Sequence, residues 1–228
     1  MDIVSRIGEQ FGVDAGMLPK LTTFVEMVVA APLNLTAWTE QLIWTEGVVQ
    51  SLELASLFPK SSGRALDIGT GGGFPGLVLA ITHPLWHWTL LDARKRRTEF
   101  LRKVMQTLEL DNVEVVTDRA EEWIRRDDQR RESFDMVTMR AVANPSGAVE
   151  LALPYVRLEG IFLAVHGFGG REDMEHGAPL VEALGGHLVR WVALATGERS
   201  GTVAVIRKAS PTPLGYPRRA KSLGKPMH

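Results

Sequence analysis

The chain has 228 residues, 45% of them hydrophobic, with a formal net charge of −1 and no cysteine. That length and apolar content fit one α/β domain with an extension and argue against disorder, while the missing cysteines exclude disulfides, thiolate metal sites and cysteine nucleophiles. Near-neutral charge excludes a uniformly basic nucleic-acid binder, no apolar run reaches the roughly 20 residues of a membrane span, and Met1 to Arg6 is not a charged leader before an apolar block; a cytoplasmic protein is expected.

Residues 2–11 and 14–30 carry apolar positions at helical spacing, and Pro32 closes the second stretch. Residues 36–57 read as one or two further helices, with Thr36 a cap and Pro59 a stop. A polar break at Lys60-Ser61-Ser62-Gly63 then separates a helical N-terminal cap, 1–60, from a sheet domain, 61–208. In that domain strands and helices alternate: strand 64–68, helix from about Gly76, strand 88–91 ending at Asp92, helix 94–109, strand 113–116 and an acidic helix at 120–126. Strand 134–139 ending at Arg140, helix 145–153, strand 161–165 and helix 171–184 follow, the last stopped by Gly185-Gly186. Two late strands, 188–194 and 202–206, complete a seven-stranded, mostly parallel, Rossmann-like sheet with helices on both faces. The tail, 209–228, is basic, contains prolines and is expected to be extended.

Charge is uneven. Residues 94–103 hold six Lys/Arg against Glu99 alone, and from Arg207 to the end there are six Lys/Arg and no acid. Two such patches on a neutral body suit a phosphate footprint, though a solvated helix face and a loose tail account for them too.

The stretch from Ala65 to Gly76 (ALDIGTGGGFPG) is an apolar run ending in an acid, then a glycine cluster, then a helical pattern. That order is strand, tight turn, helix, the layout of a cofactor-binding crossover. Two registers compete. Gly71-x-Gly73-x-x-Gly76 fits the dinucleotide fingerprint, with Asp92 near the distance of a ribose-binding acid, but Pro75 interrupts it. Asp67-x-Gly69-x-Gly71-x-Gly73 resembles the signature of class I S-adenosylmethionine-dependent methyltransferases. That cofactor has no pyrophosphate; its ammonium and sulfonium favour a carboxylate such as Asp67, and its ribose hydroxyls favour Asp92. Together with the two late strands, Asp67 favours the methyl donor; a turn with a purely structural role is the third reading.

Several further stretches resemble one family, the bacterial small-subunit (16S) rRNA guanine-N7 methyltransferases, known as RsmG or GidB. They are Asn34-Leu35-Thr36-Ala37, the glycine loop through Gly-Phe-Pro-Gly, Leu90-Leu91-Asp92-Ala93 with Lys95-Arg96, Arg119-Ala120-Glu121, Arg140-Ala141-Val142-Ala143, Gly197-Glu198-Arg199, Thr212-Pro213 and Tyr216-Pro217-Arg218-Arg219. The resemblance implies Gly69, Phe74, Ala120, Glu121 and Arg140 in the cofactor site, with Asp92 on the ribose and Arg140 where acceptor meets cofactor. It implies 16S rRNA in the small ribosomal subunit as acceptor. Arg96, Arg97, Arg218 and Arg219 in the basic patches, with His166 and Arg199, then become candidate RNA contacts. The cap departs from the family pattern: an Arg-His before Asp-Ser-Leu is here Glu46-Gly47 before Gln50-Ser51-Leu52, the Lys before Gly is His166, and the His after Glu-Arg is Ser200.

Guanine N7 carries a lone pair and no proton, so its methylation needs positioning rather than a general base; no acid–base pair is nominated, and the Arg140 position has a structural ion pair as its alternative. No histidine stands at metal-ligand spacing, and no metal is expected. The six tryptophans read as core or interface; Trp38 and Trp44, near the altered cap motif, have an acceptor pocket as their alternative. A monomeric, S-adenosylmethionine-dependent rRNA methyltransferase is the expectation; a small-molecule methyltransferase on the same fold and a silent cofactor-binding ribosomal partner are the alternatives.

Overall fold

The computed structural model describes residues 3–32, 34–140, 144–166, 177–194, 201–219 and 223. Seven strands, β1 (Gly63–Ile68), β2 (Trp86–Asp92), β3 (Val113–Thr117), β4 (Phe134–Arg140), β5 (Val156–His166), β6 (Gly186–Leu194) and β7 (Gly201–Lys208), form one sheet. Their order across it is β3-β2-β1-β4-β5-β7-β6. The first five pair in parallel, and β7 runs antiparallel to both β5 and β6. A helix between successive strands permits a parallel crossover, whereas too few residues separate β6 from β7 for anything but an antiparallel return. This is the α/β, Rossmann-like architecture expected from the alternation.

Before β1 lie α1 (Ile3–Phe11), α2 (Leu18–Val29), α3 (Glu40–Leu42), a π-helical segment Ile43–Val49 and α4 (Gln50–Ala55), the last three continuous. Helices α5 (Gly76–Thr82), α6 (Lys95–Thr107), α7 (Ala120–Trp123), α8 (Pro145–Ala152) and α9 (Ala178–Ala183) connect the strands. Because strand side chains alternate, Ala65, Trp88, Met136 and Leu163 face one side of the sheet while Leu66, Leu91, Val137 and Phe162 face the other. The first side packs against α5, α6 and the N-terminal helices through Leu77, Leu101, Phe24 and Val48; the second packs against α7, α8 and α9 through Trp123, Val149 and Val181. The N-terminal helices therefore share a core with the sheet.

Four local expectations are revised. Thr36 accepts from the Trp38 N–H at 3.2 Å in a turn, and Thr39 caps the helix instead, accepting from Leu42 N–H at 3.4 Å. Strand β5 starts at Val156 rather than 161; its register against β4 slips between Phe134 and Met136, and Glu159 takes φ +64°, which hides the strand from a period-two reading. The acidic helix stops at Trp123 and continues as short 3₁₀ turns, Ile124–Arg126 and Asp128–Arg130. The tail over 209–219, expected to be extended, is irregular and docked: Arg131 donates to the carbonyls of Thr212, Pro213 and Tyr216 at 2.7, 2.9 and 2.7 Å.

Because β1 sits between β2 and β4, the chain order reverses beside it. The crevice beyond the carboxyl ends of these strands is where such sheets place ligands. Among the described residues no helix is long and apolar enough to cross a membrane.

Candidate active site

The turn after β1 is shaped by backbone conformations that only glycine adopts cheaply: φ is +70° at Gly69, +57° at Gly71 and +100° at Gly73. The N–H groups of Gly69 and Thr70 both donate to Leu91 O, at 2.7 and 3.2 Å, fastening the turn to the end of β2. One residue on, the Asp92 carboxylate ends β2 nearly buried, at 5% exposure. Its Oδ2 accepts from Gly71 N–H at 3.0 Å and lies 3.5 Å from Arg97 Nη1, and its Oδ1 accepts from Arg94 N–H at 2.8 Å.

Above these groups opens a cavity of about 590 Å³. It is lined by Gly69, Gly71, Phe74 and Asp92 from the turn and β2, and by Ala120, Glu121 and Leu151. Leu35, Thr36, Trp38 and Arg140 close the end beneath the N-terminal helices. Ala120 is fixed by its carbonyl, which accepts from Tyr155 O–H at 2.6 Å; Glu121, 3% exposed, accepts from Arg119 Nε at 2.7 Å.

Asp67 and Gly73 stand behind the turn rather than among the groups that line the cavity. The Asp67 carboxylate, 1% exposed, accepts from Gly76 N–H at 3.1 Å and from Thr138 Oγ1 at 2.8 Å. It thus ties the start of α5 to β4. Burial pushes its pKa up to about 6 against these hydrogen bonds. A Cβ on Gly73 would meet Leu77, Phe24 and Leu101 at 3.1–3.2 Å, so that glycine serves packing beneath the turn.

Arg140 ends β4 and is held on three sides. Its Nη1 donates to Glu46 O and its Nη2 to Gln50 Oε1, each at 2.7 Å, and its guanidinium carbon lies 4.9 Å from the Trp38 ring centre. Burial lowers its pKa to about 10, which leaves it protonated at neutral pH. Phe74, in contact with Phe24 and Trp38 at centroid distances of 5.1 and 5.8 Å, braces the same corner.

The candidate RNA contacts separate. Arg96 on α6 and Arg219 in the tail are exposed. Arg97 lines the cavity beside Asp92 instead of facing outward. Arg218 grips the fully buried Glu150 of α8 through Nε and Nη2, at 2.8 and 2.7 Å, and through its own N–H at 2.9 Å, so it anchors the tail to the sheet domain. His166 lies at the end of β5. Arg199 lies outside the described residues, as do 141–143 and Ser200. Among the described residues no group of three or more His, Asp or Glu is placed to hold a metal ion.

Residues not expected in the cofactor site also reach it: Trp38, Arg97 and Arg119 line the cavity, and the pair Glu46 and Gln50 holds Arg140. Trp38 was signalled by the Asn34–Ala37 motif just before it. The signal in Glu46 and Gln50 was their departure from the family pattern.

Comparison with known proteins places this geometry. A family model described as GidB, rRNA small subunit methyltransferase G, matches residues 17–201. "Ribosomal RNA small subunit methyltransferase G" of Roseiflexus castenholzii is 39% identical over 188 residues, covering 82% of this chain and 80% of that protein. The protein of the same name from Lachnoclostridium phytofermentans is 36% identical over 231 residues, covering 100% of this chain and 90% of its own. Among solved structures, a mutant of MtNAS in complex with S-adenosylmethionine aligns with a TM-score of 0.57 at 19% identity, over 91% of this chain and 78% of its own, which shows the shared fold. With its fold, its glycine turn and these matches taken together, the chain belongs to the GidB family of rRNA small subunit methyltransferases.

Proposed function

We propose that this chain transfers the methyl group of S-adenosylmethionine to N7 of a guanine in 16S rRNA, as a cytoplasmic monomer acting on the small ribosomal subunit. The observation that carries the reading is the division of one cavity into two chemically different ends. One end holds a glycine turn and a buried acceptor, Asp92; the other holds a protonated donor, Arg140, under the helices of residues 1–60.

The residues present fit the cofactor. Gly69 and Gly71 leave the cavity wall without side chains, and a Cβ at Gly71 would stand 3.3 Å from Arg97 Nη1. Asp92 already accepts from Gly71 and Arg94, but a carboxylate has about four lone-pair sites, so room remains for a ribose diol. Ile68, Leu91 and Leu151 offer apolar surface to an adenine ring, beside Ala120 and Glu121. When bound, the cofactor supplies a methyl group on a positively charged sulfur, already electrophilic.

What remains for the protein is alignment. Guanine N7 has a free lone pair, so no side chain must remove a proton; Arg140 holds the acceptor end, and the walls exclude competing water. A base must leave its stack to reach such a crevice, which single-stranded rRNA allows most readily. Exposed Arg96 and Arg219, with His166 and Arg199, are the proposed phosphate contacts on the approach.

The test is a methyl-transfer assay with labelled S-adenosylmethionine on small subunits from cells lacking this gene, followed by mapping of the base. Label on N7 of a single guanine is expected. Cofactor binding without label on rRNA would overturn the acceptor assignment and favour a small-molecule acceptor or a silent ribosomal partner.

A further inference from the structure

Two buried polar groups, Glu46 and Gln50, meet the partly buried Arg140 at the acceptor end of the cavity, and both come from the helical segment whose sequence departs from the family pattern. In a regular α-helix the Gln50 N–H would take the Glu46 carbonyl. Here the segment is π-helical, and the Gln50 N–H bonds to the carbonyls of Gly47 and Thr45. The Glu46 carbonyl accepts from Arg140 Nη1 at 2.7 Å. Such π-helical turns cluster at functional sites because they present backbone groups that a regular turn consumes.

The side chains complete the arrangement. Gln50 Nε2 donates to the Glu46 carboxylate and Gln50 Oε1 accepts from Arg140 Nη2. A carboxylate only accepts and a guanidinium only donates, so one orientation of the amide satisfies both neighbours. Glu46 and Gln50 are each 2% exposed. Gly47 lets the turn press on the cofactor loop, since a Cβ there would lie 2.8 Å from the Phe74 ring. Trp38 covers the guanidinium face. Two edge bonds and one face contact thus fix the plane of Arg140, and apolar packing would fill the same space without the desolvation that this polar cluster incurs.

We propose that Gln50 and Glu46 are positioning residues that hold the Arg140 guanidinium against the acceptor base. The inference rests on the acceptor reading above. Guanine carries two acceptors side by side, O6 and N7. A guanidinium fixed by Gln50 and Glu46 keeps its remaining N–H groups for O6, which leaves the N7 lone pair free to react.

The test compares Gln50→Leu with the wild-type enzyme on unmethylated small subunits, with activity normalised to folded protein and S-adenosylmethionine affinity measured by calorimetry. Gln50→Leu is expected to lower kcat/KM for the subunit about 10- to 100-fold, mostly in kcat, as befits a lost hydrogen bond to a charged group. Cofactor affinity should stay within about threefold of wild type, below the fold-change a lost bond of that kind produces. Gln50→Asn keeps the polarity but withdraws the oxygen from Arg140, and should show a smaller loss of the same kind if the leucine variant fails to fold. Acceptor kinetics within twofold of wild type in the folded variant, or a cofactor affinity that falls in proportion to turnover, would overturn the proposal. A wild-type enzyme that labels no guanine would overturn the acceptor reading itself, and this proposal with it.

Discussion

Gly71→Val is expected to lower S-adenosylmethionine affinity at least about 100-fold, a loss of roughly 2.7 kcal/mol, while the protein still unfolds cooperatively. Gly71 has φ +57°, where a β-branched residue is a genuine outlier whose strain costs on the order of 1–3 kcal/mol. The turn would relieve that strain by moving, and it has two fastenings to give up: the Gly71 N–H on Asp92 at 3.0 Å and the neighbouring bonds to Leu91 O. Either movement disturbs the surface proposed to meet the cofactor, because Gly69, Gly71 and Asp92 all line the cavity. The branched side chain also adds volume to that lining beside Arg97. The core is spared, since Leu66, Ile68 and Leu77 are buried on either side of the turn and none must shift. Titration calorimetry with S-adenosylmethionine and a thermal melt check both halves. Unchanged affinity would mean that the cofactor binds away from this turn.

Much of this site was legible because its parts are local in sequence. The Asp67–Gly76 pattern places an acid, a turn and a helix start within ten positions, and alternation of strands with helices placed Asp92 and Arg140 at two strand ends and Ala120 at a helix start. What was not legible depends on contacts distant in the chain. The basic run 94–103 reads as one surface patch, yet α6 turns Arg97 inward to Asp92 while Arg96 stays in solvent, because residues one apart on a helix point about 100° apart. Tyr216-Pro217-Arg218-Arg219 reads as a basic motif, yet Arg218 meets a carboxylate 68 residues away that is wholly buried. The grip of Glu46 and Gln50 on Arg140 spans 90 residues or more, and it needs a π-helical turn that no periodicity announces. The family resemblance supplied the positions of the site; only the fold shows which of them touch.

Asp67 carries a second large effect, visible as a dependence of stability on pH. Burial raises its pKa from 3.8 to about 6 in the folded protein. Between those values the folded state holds a proton that the unfolded state has released. Stability from this group is therefore complete below about pH 4 and is lost as pH rises through about 6; the difference is on the order of 3 kcal/mol. Asp67→Asn removes the titration yet keeps the geometry: the amide oxygen can accept from Gly76 N–H, and the amide nitrogen can donate to the Thr138 hydroxyl. Urea unfolding at pH 4 and pH 7 should show the wild type losing roughly 2 kcal/mol more than the variant across that interval, other carboxylates being common to both. The same proton couples to the cavity. A cationic cofactor stabilises the ionised carboxylate one residue below Ile68, so wild-type affinity for S-adenosylmethionine should rise as pH passes through about 6 and then level off, with a flatter profile in Asp67→Asn. Parallel stability curves would return Asp67 to an ordinary carboxylate. A pH-dependent stability without pH-dependent affinity would confine it to tying α5 to β4.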